Sequence, residues 1–118
     1  MKILVVEDSP DSLELLVGLL LKRRHSNVKA VSSGMLAIEA MAEDRFDFVI
    51  CDYHMPEMSG HEVFEILKKT GVECSFLLWT NADHDSIPKF EGYGFLGIVK
   101  KQEFDQLFGK LEGNRCVG

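Results

Sequence analysis

Five short apolar runs recur along the chain, each bounded by polar residues: Ile3–Val6, Val28–Val31, Phe46–Cys51, Ser75–Trp79 and Phe95–Val99. Runs of this length that are apolar throughout suit strands buried on both faces, as in parallel sheets. Longer amphipathic stretches separate them. Leu13, Leu16, Val17, Leu20 and Leu21 make one helical stripe ending near Arg24. Ala37, Ile38 and Met41 make a second, and Val63, Ile66 and Leu67 a third that stops at Gly71. Asp83–Gly92 is a weak helix interrupted by Pro88, and Phe104, Leu107, Phe108 and Leu111 form a last face. Ser9-Pro10 and Ser33-Gly34 read as helix starts. Alternating strands and helices predict an α/β, doubly wound parallel sheet with helices on both faces.

In an open sheet of this kind, ligands bind beyond the carboxyl ends of the strands. Here those ends carry Glu7 and Asp8 after the first run, Asp52 after the third, Thr80 after the fourth and Lys100 after the fifth. Singly, each has a plainer reading: Asp8 as a helix cap, Asp52 as a turn residue, Thr80 as a strand end, Lys100 as a solvated cation. Jointly they predict one rim with three carboxylates, a hydroxyl and an ammonium. Three close carboxylates need protons or a cation among them. All-oxygen ligands suit Mg²⁺, with water and a substrate phosphate completing the shell. A carboxylate in such a site can act as a nucleophile and form an acyl phosphate. The cation, Lys100, backbone N–H groups and the Thr80 hydroxyl would then neutralise the transferring group.

The motifs I-L-V-V-E-D-S, F-V-I-C-D-Y-H-M-P-E-M-S-G, F-L-L-W-T-N and I-V-K resemble the receiver domain of two-component response regulators. The resemblance spans nearly the whole chain, and Asp52 through Met55-Pro56 to Gly60 is its most specific part. It implies a CheY-like, flavodoxin-like fold with strand order 2-1-3-4-5, and a single domain over 1–118 with a flexible tail at 113–118. It makes Asp52 the phosphorylation site in a phosphorelay, and Glu7, Asp8, Asp52 and the backbone carbonyl of His54 the Mg²⁺ ligands. Thr80 becomes the switch hydroxyl and Lys100 the pairing lysine. Lys101 competes for that place, and Lys100 is preferred because Leu107 and Leu111 then match the family's last helix. The implied donor is a histidine kinase or a histidine phosphotransfer protein, and the implied receiver of the signal is a downstream target protein or output domain. The implied molecule is a switch, with at most self-phosphorylation and self-dephosphorylation activity.

The sequence departs from the family pattern at several positions. Gly97, with Ile98 next to it, stands where an aromatic switch residue is frequent, although Tyr93 and Phe95 lie close. Lys101 stands where Pro usually follows the lysine. The stretch from Thr80 to Lys100 is short and rich in Gly, on the side the family commonly uses for output. Asn81 replaces a frequent Ala or Gly.

Two other functional classes compete. A metal-dependent phosphatase with an aspartyl nucleophile resembles D-x-D after the strand, but the second Asp is His54 here. A non-phosphorylated interaction module would keep the fold without the chemistry. His54, His61 and His84 with Asp52 form a weaker transition-metal alternative, and His54 is better placed to influence acyl phosphate hydrolysis at the pocket mouth. The net charge of −6 argues against direct nucleic-acid binding. The basic run Lys22-Arg23-Arg24 instead suits a helix C-terminus. No apolar stretch approaches the about 18 residues of a membrane span. Cys51, Cys74 and Cys116 lack paired spacing, so free thiols and a cytoplasmic location are expected.

Overall fold

The computed structural model describes residues 1–113, so Cys116 and the expected tail beyond Gly113 lie outside the described residues. The elements are β1 (Ile3–Val6), α1 (Pro10–Lys22), β2 (Val28–Val31), α2 (Gly34–Glu43), β3 (Phe48–Cys51), α3 (Gly60–Thr70), β4 (Ser75–Trp79), β5 (Phe95–Val99) and α4 (Phe104–Gly113). All strands are parallel, in the order β2-β1-β3-β4-β5. This is the doubly wound sheet that the alternating pattern and the resemblance lead one to expect.

Serine caps start the three helices that leave the rim from β1, β2 and β3. Ser9, Ser33 and Ser59 accept from the backbone N–H groups of Ser12, Leu36 and Glu62. Each cap satisfies a first-turn N–H that would otherwise have no partner. Ser59 and Glu62 complete a reciprocal capping box, and Gly71 closes α3 in the left-handed conformation.

Alternation along the strands divides the core in two. Leu4, Val6, Val49, Cys51, Phe76 and Leu78 face α2 and α3. Ile3, Val5, Phe48, Ile50, Leu77 and Trp79 face α1 and α4. The stripe on α1 is narrower than the pattern suggests: Leu16 and Leu20 are fully buried, while Leu21 is exposed.

One expected element needs correction. The segment Asp83–Gly92 is not an α-helix. It makes a single 3₁₀ turn, His84–Ser86, capped by the Asp83 side chain, and then runs as a strap to β5. Pro88 and the positive φ of Gly92 (154°) and Gly94 (91°) stop a helix from propagating. Ile87 and Phe90 pack in its place against the α2/α3 side of the core. Phe90 stacks on Phe95 with centroids 4.5 Å apart and also meets Phe64. His61 Nε2 lies 3.2 Å from the Lys89 carbonyl, and Lys68 donates to the Glu91 carbonyl.

β5 keeps the expected range but is not a regular strand. Phe95 pairs with Phe76 and Gly97 with Leu77, so one extra residue enters between them. This is a β-bulge, and Gly97 adopts φ 118° within it. The bulge inverts side-chain parity. Phe95 and Ile98 face α2/α3, whereas Leu96 and Val99 face α1/α4. An unbulged strand would have given Ile98 and Val99 the opposite faces.

Candidate functional site

The parallel ladders continue one residue past the strands. Glu7 N–H donates to the Val31 carbonyl (3.1 Å), Asp52 N–H to Val6 (3.0 Å) and Thr80 N–H to Val99 (3.0 Å). Backbone register thus brings Glu7, Asp52 and Thr80 to one rim, where they are 0, 5 and 2% exposed. One carboxylate oxygen each from Glu7, Asp8 and Asp52 lies within 4.8 Å of the other two. Asp8 is the exposed member.

The lysine that meets this cluster is Lys101. Its Nζ lies 2.7 Å from Glu7 Oε1 and 2.9 Å from Asp52 Oδ2. Lys100, favoured on sequence grounds, is exposed and lines a neighbouring hollow with Asn81, Asp83 and His84. The bulge supplies the physical reason. Glu7 and Asp52 continue the α1/α4 parity of Val5 and Ile50. After the bulge, the matching parity in β5 belongs to Val99 and then Lys101, not Lys100. Leu107 and Leu111 are fully buried as expected, yet they do not discriminate between two adjacent lysines.

Backbone N–H groups hold the remaining oxygens. Ser9 donates to Glu7 Oε2 (3.0 Å) and Tyr53 to Asp52 Oδ1 (2.6 Å). Thr80 Oγ1 accepts from Ala82 N–H at 3.2 Å, which leaves its own proton free to donate. Asn81 Oδ1 accepts the Lys101 backbone N–H at 3.0 Å. Neither Lys101 nor this role of Asn81 was the sequence-based choice; Asn81 drew notice only as a departure from the Ala or Gly frequent there. The side chain of His54 is exposed at the mouth of a cleft of about 310 Å³ that Asp52, Thr80, Asn81, Ala82 and Lys101 also line. Among the described residues, no histidine joins the acids in a metal-spaced group.

Burial pushes the Glu7 carboxyl above its ordinary range and the neighbouring Asp52 charge adds to this, while Lys101 and the Ser9 N–H pull the other way. Burial alone would lower the Lys101 ammonium. Its two carboxylate partners outweigh that and raise it. Three clustered carboxylates face the single Lys101 ammonium, which leaves excess negative charge at the rim. An all-oxygen group of this charge fits a hard divalent cation. Glu7, Asp8 and Asp52 are the side chains that could hold one.

Gly60 fixes the wall of the site. An added Cβ would lie 2.3 Å from the Asp52 carbonyl oxygen and 2.9 Å from Leu78 Cδ1. Gly60 N–H also donates to the Tyr53 carbonyl at 2.9 Å. The start of α3 can approach β3 this closely only without a side chain.

Comparison with known proteins decides the family. The family description "Response regulator receiver domain" matches residues 3–112. The chain belongs to the response regulator receiver domain family. The receiver domain is 33% identical over 113 residues to a two-component response regulator of rice (Oryza sativa), covering 91% of this chain and 17% of that protein. It is 32% identical over 112 residues to the transcriptional regulatory protein TcrA of Mycobacterium tuberculosis, covering 93% and 44%. The receiver domain therefore spans less than half the length of either relative. Among solved structures, the response regulator TrrA of Thermotoga maritima, in complex with Mg²⁺-BeF, superposes with a TM-score of 0.82. The two are 30% identical, with 96% and 98% of the chains covered. Among the described residues, no helix is long and apolar enough to cross a membrane.

Proposed function

We propose that Asp52 accepts a phosphoryl group from a phosphohistidine donor, on a histidine kinase or a histidine phosphotransfer protein, and that the receiver domain thereby switches a partner surface. The observation that carries this reading is Lys101 Nζ bridging Glu7 and Asp52 beside an open cleft. A carboxylate oxygen of Asp52 forms the new O–P bond as the donor's N–P bond breaks. The electron pair returns to the imidazole, which takes up a proton. Mg²⁺, held by Glu7, Asp8, Asp52 and the His54 carbonyl, would neutralise charge on the phosphoryl oxygens. Lys101 passes from the Asp52 carboxylate to a phosphoryl oxygen, and the Thr80 hydroxyl donates to another. The phosphoryl group brings roughly 1.5 to 2 negative charges and three acceptor oxygens. Thr80 and Asn81 open the strap that packs on α3, so their movement is transmitted to the strap rather than to a helix.

Incubation with acetyl phosphate and Mg²⁺ tests this reading. Wild-type protein gains one phosphoryl group by intact mass, and Asp52→Asn gains none. Equal uptake by Asp52→Asn would refute it.

A further inference from the structure

Trp79 is the only tryptophan of the chain and is 1% exposed. On an unremarkable reading it is a core aromatic, filling the space under α1 and α4 beside Phe104. Two observations go beyond that. Its Nε1 is buried without a hydrogen-bond acceptor, a cost that Leu or Phe would not incur. Its ring also lies under the Lys101 ammonium, 5.3 Å from Nζ to the centroid. Tryptophan offers a cation the strongest aromatic face.

We propose that Trp79 is a positioning residue for Lys101, its indole face supporting the ammonium where Nζ meets Glu7 and Asp52. This rests on Lys101 serving the acceptor site. Three contacts then define the ammonium: Glu7 Oε1, Asp52 Oδ2 and the ring. Asn81 anchors the same residue by its backbone. Without the ring, the flexible four-carbon stem has one wall fewer, and the ammonium spends more time in solvent.

The test compares Trp79→Leu, which removes the ring, with Trp79→Phe, which keeps a weaker one. The first readout needs no phosphorylation: the ring current on the Lys101 ε-methylene protons, assigned by their loss in Lys101→Met. Wild type shows an upfield shift, Trp79→Phe a smaller one and Trp79→Leu none. The second readout is the rate of phosphoryl uptake from acetyl phosphate, expected to fall about two- to fivefold in Trp79→Leu and less in Trp79→Phe. No upfield shift in wild type, or a wild-type rate in Trp79→Leu, overturns the proposal. So does equal impairment of the two variants, which would mark a purely structural role. If Trp79→Leu does not fold, Trp79→Phe decides: an unchanged ε-methylene shift and an unchanged rate overturn the proposal. No phosphoryl uptake by wild type refutes the acceptor reading, and with it the positioning role that rests on it; uptake with a wild-type rate in Trp79→Leu refutes the positioning role alone.

Discussion

The Lys110 ammonium donates to the Leu96 carbonyl at 2.9 Å, tying α4 to the bulge in β5. That carbonyl belongs to the extra residue of the bulge, and the tie helps hold the register that sends Lys101 to the acids.

The first prediction separates the two lysines. Lys101→Met leaves Glu7 and Asp52 without their cation. It should cost about 2 kcal/mol, less than the loss of a fully buried partner because the Lys101 side chain is 20% exposed. It should also abolish the normal response to phosphorylation. Lys100→Met, at an exposed position, should stay within about 0.5 kcal/mol of wild type. Urea unfolding and phosphoryl uptake on both variants check this, and a stronger effect at Lys100 would contradict the assigned register.

Cation binding should stabilise the fold. A single site at a free Mg²⁺ concentration of 100 times Kd adds about 2.7 kcal/mol. Asp8→Asn, which alters the exposed member of the cluster, should weaken this gain with little change in metal-free stability. Thermal melts across a Mg²⁺ series measure both quantities.

Gly60→Ala should disturb Asp52 directly. The new methyl would collide with the Asp52 carbonyl oxygen, so strand or helix must move. Overpacking of this kind costs about 1–3 kcal/mol. Slower phosphoryl uptake should accompany the lower stability. An unchanged rate would mean that α3 can retreat without moving Asp52.

Acid stability should depend on a pair of helix ends. Arg23 and His25, just past α1, hold Glu112 near the end of α4: Arg23 Nε donates to Oε2 at 2.8 Å, and His25 Nε2 lies 2.9 Å from the same oxygen. Arg23, with His25 assisting, brings the Glu112 carboxyl down to about 2 from the ordinary 4.5. A depressed carboxyl supports folding above its unfolded value and loses that support as pH falls through the folded one. The contribution is therefore complete above about 4.5 and fades toward about 2. Glu112→Gln should flatten the unfolding free energy across that window, as measured by urea titration at several pH values.

Phe90→Ala should loosen the strap. It removes the ring stacked on Phe95 and in contact with Phe64. The ring is half-buried, so a cost of about 1–3 kcal/mol is expected, below that of a fully buried Phe. Amide exchange should quicken for Phe76, whose N–H donates to the Gly94 carbonyl at 2.8 Å, while Val49 in the central strand stays protected.

The order of elements, the sheet with helices on both faces, and the meeting of Glu7, Asp8, Asp52 and Thr80 were all legible in the sequence. Short apolar runs, serine caps and polar strand ends are local signals, and parallel register converts them into one rim without further information. Two features were decided only in three dimensions. Whether Lys100 or Lys101 reaches Asp52 depends on the bulge opposite Leu77, a pairing between residues distant in sequence that inverts every later side chain. The path of residues 83–92 came from the packing of Ile87 and Phe90 on the sheet, where Pro88 and the glycines had already weakened a helix.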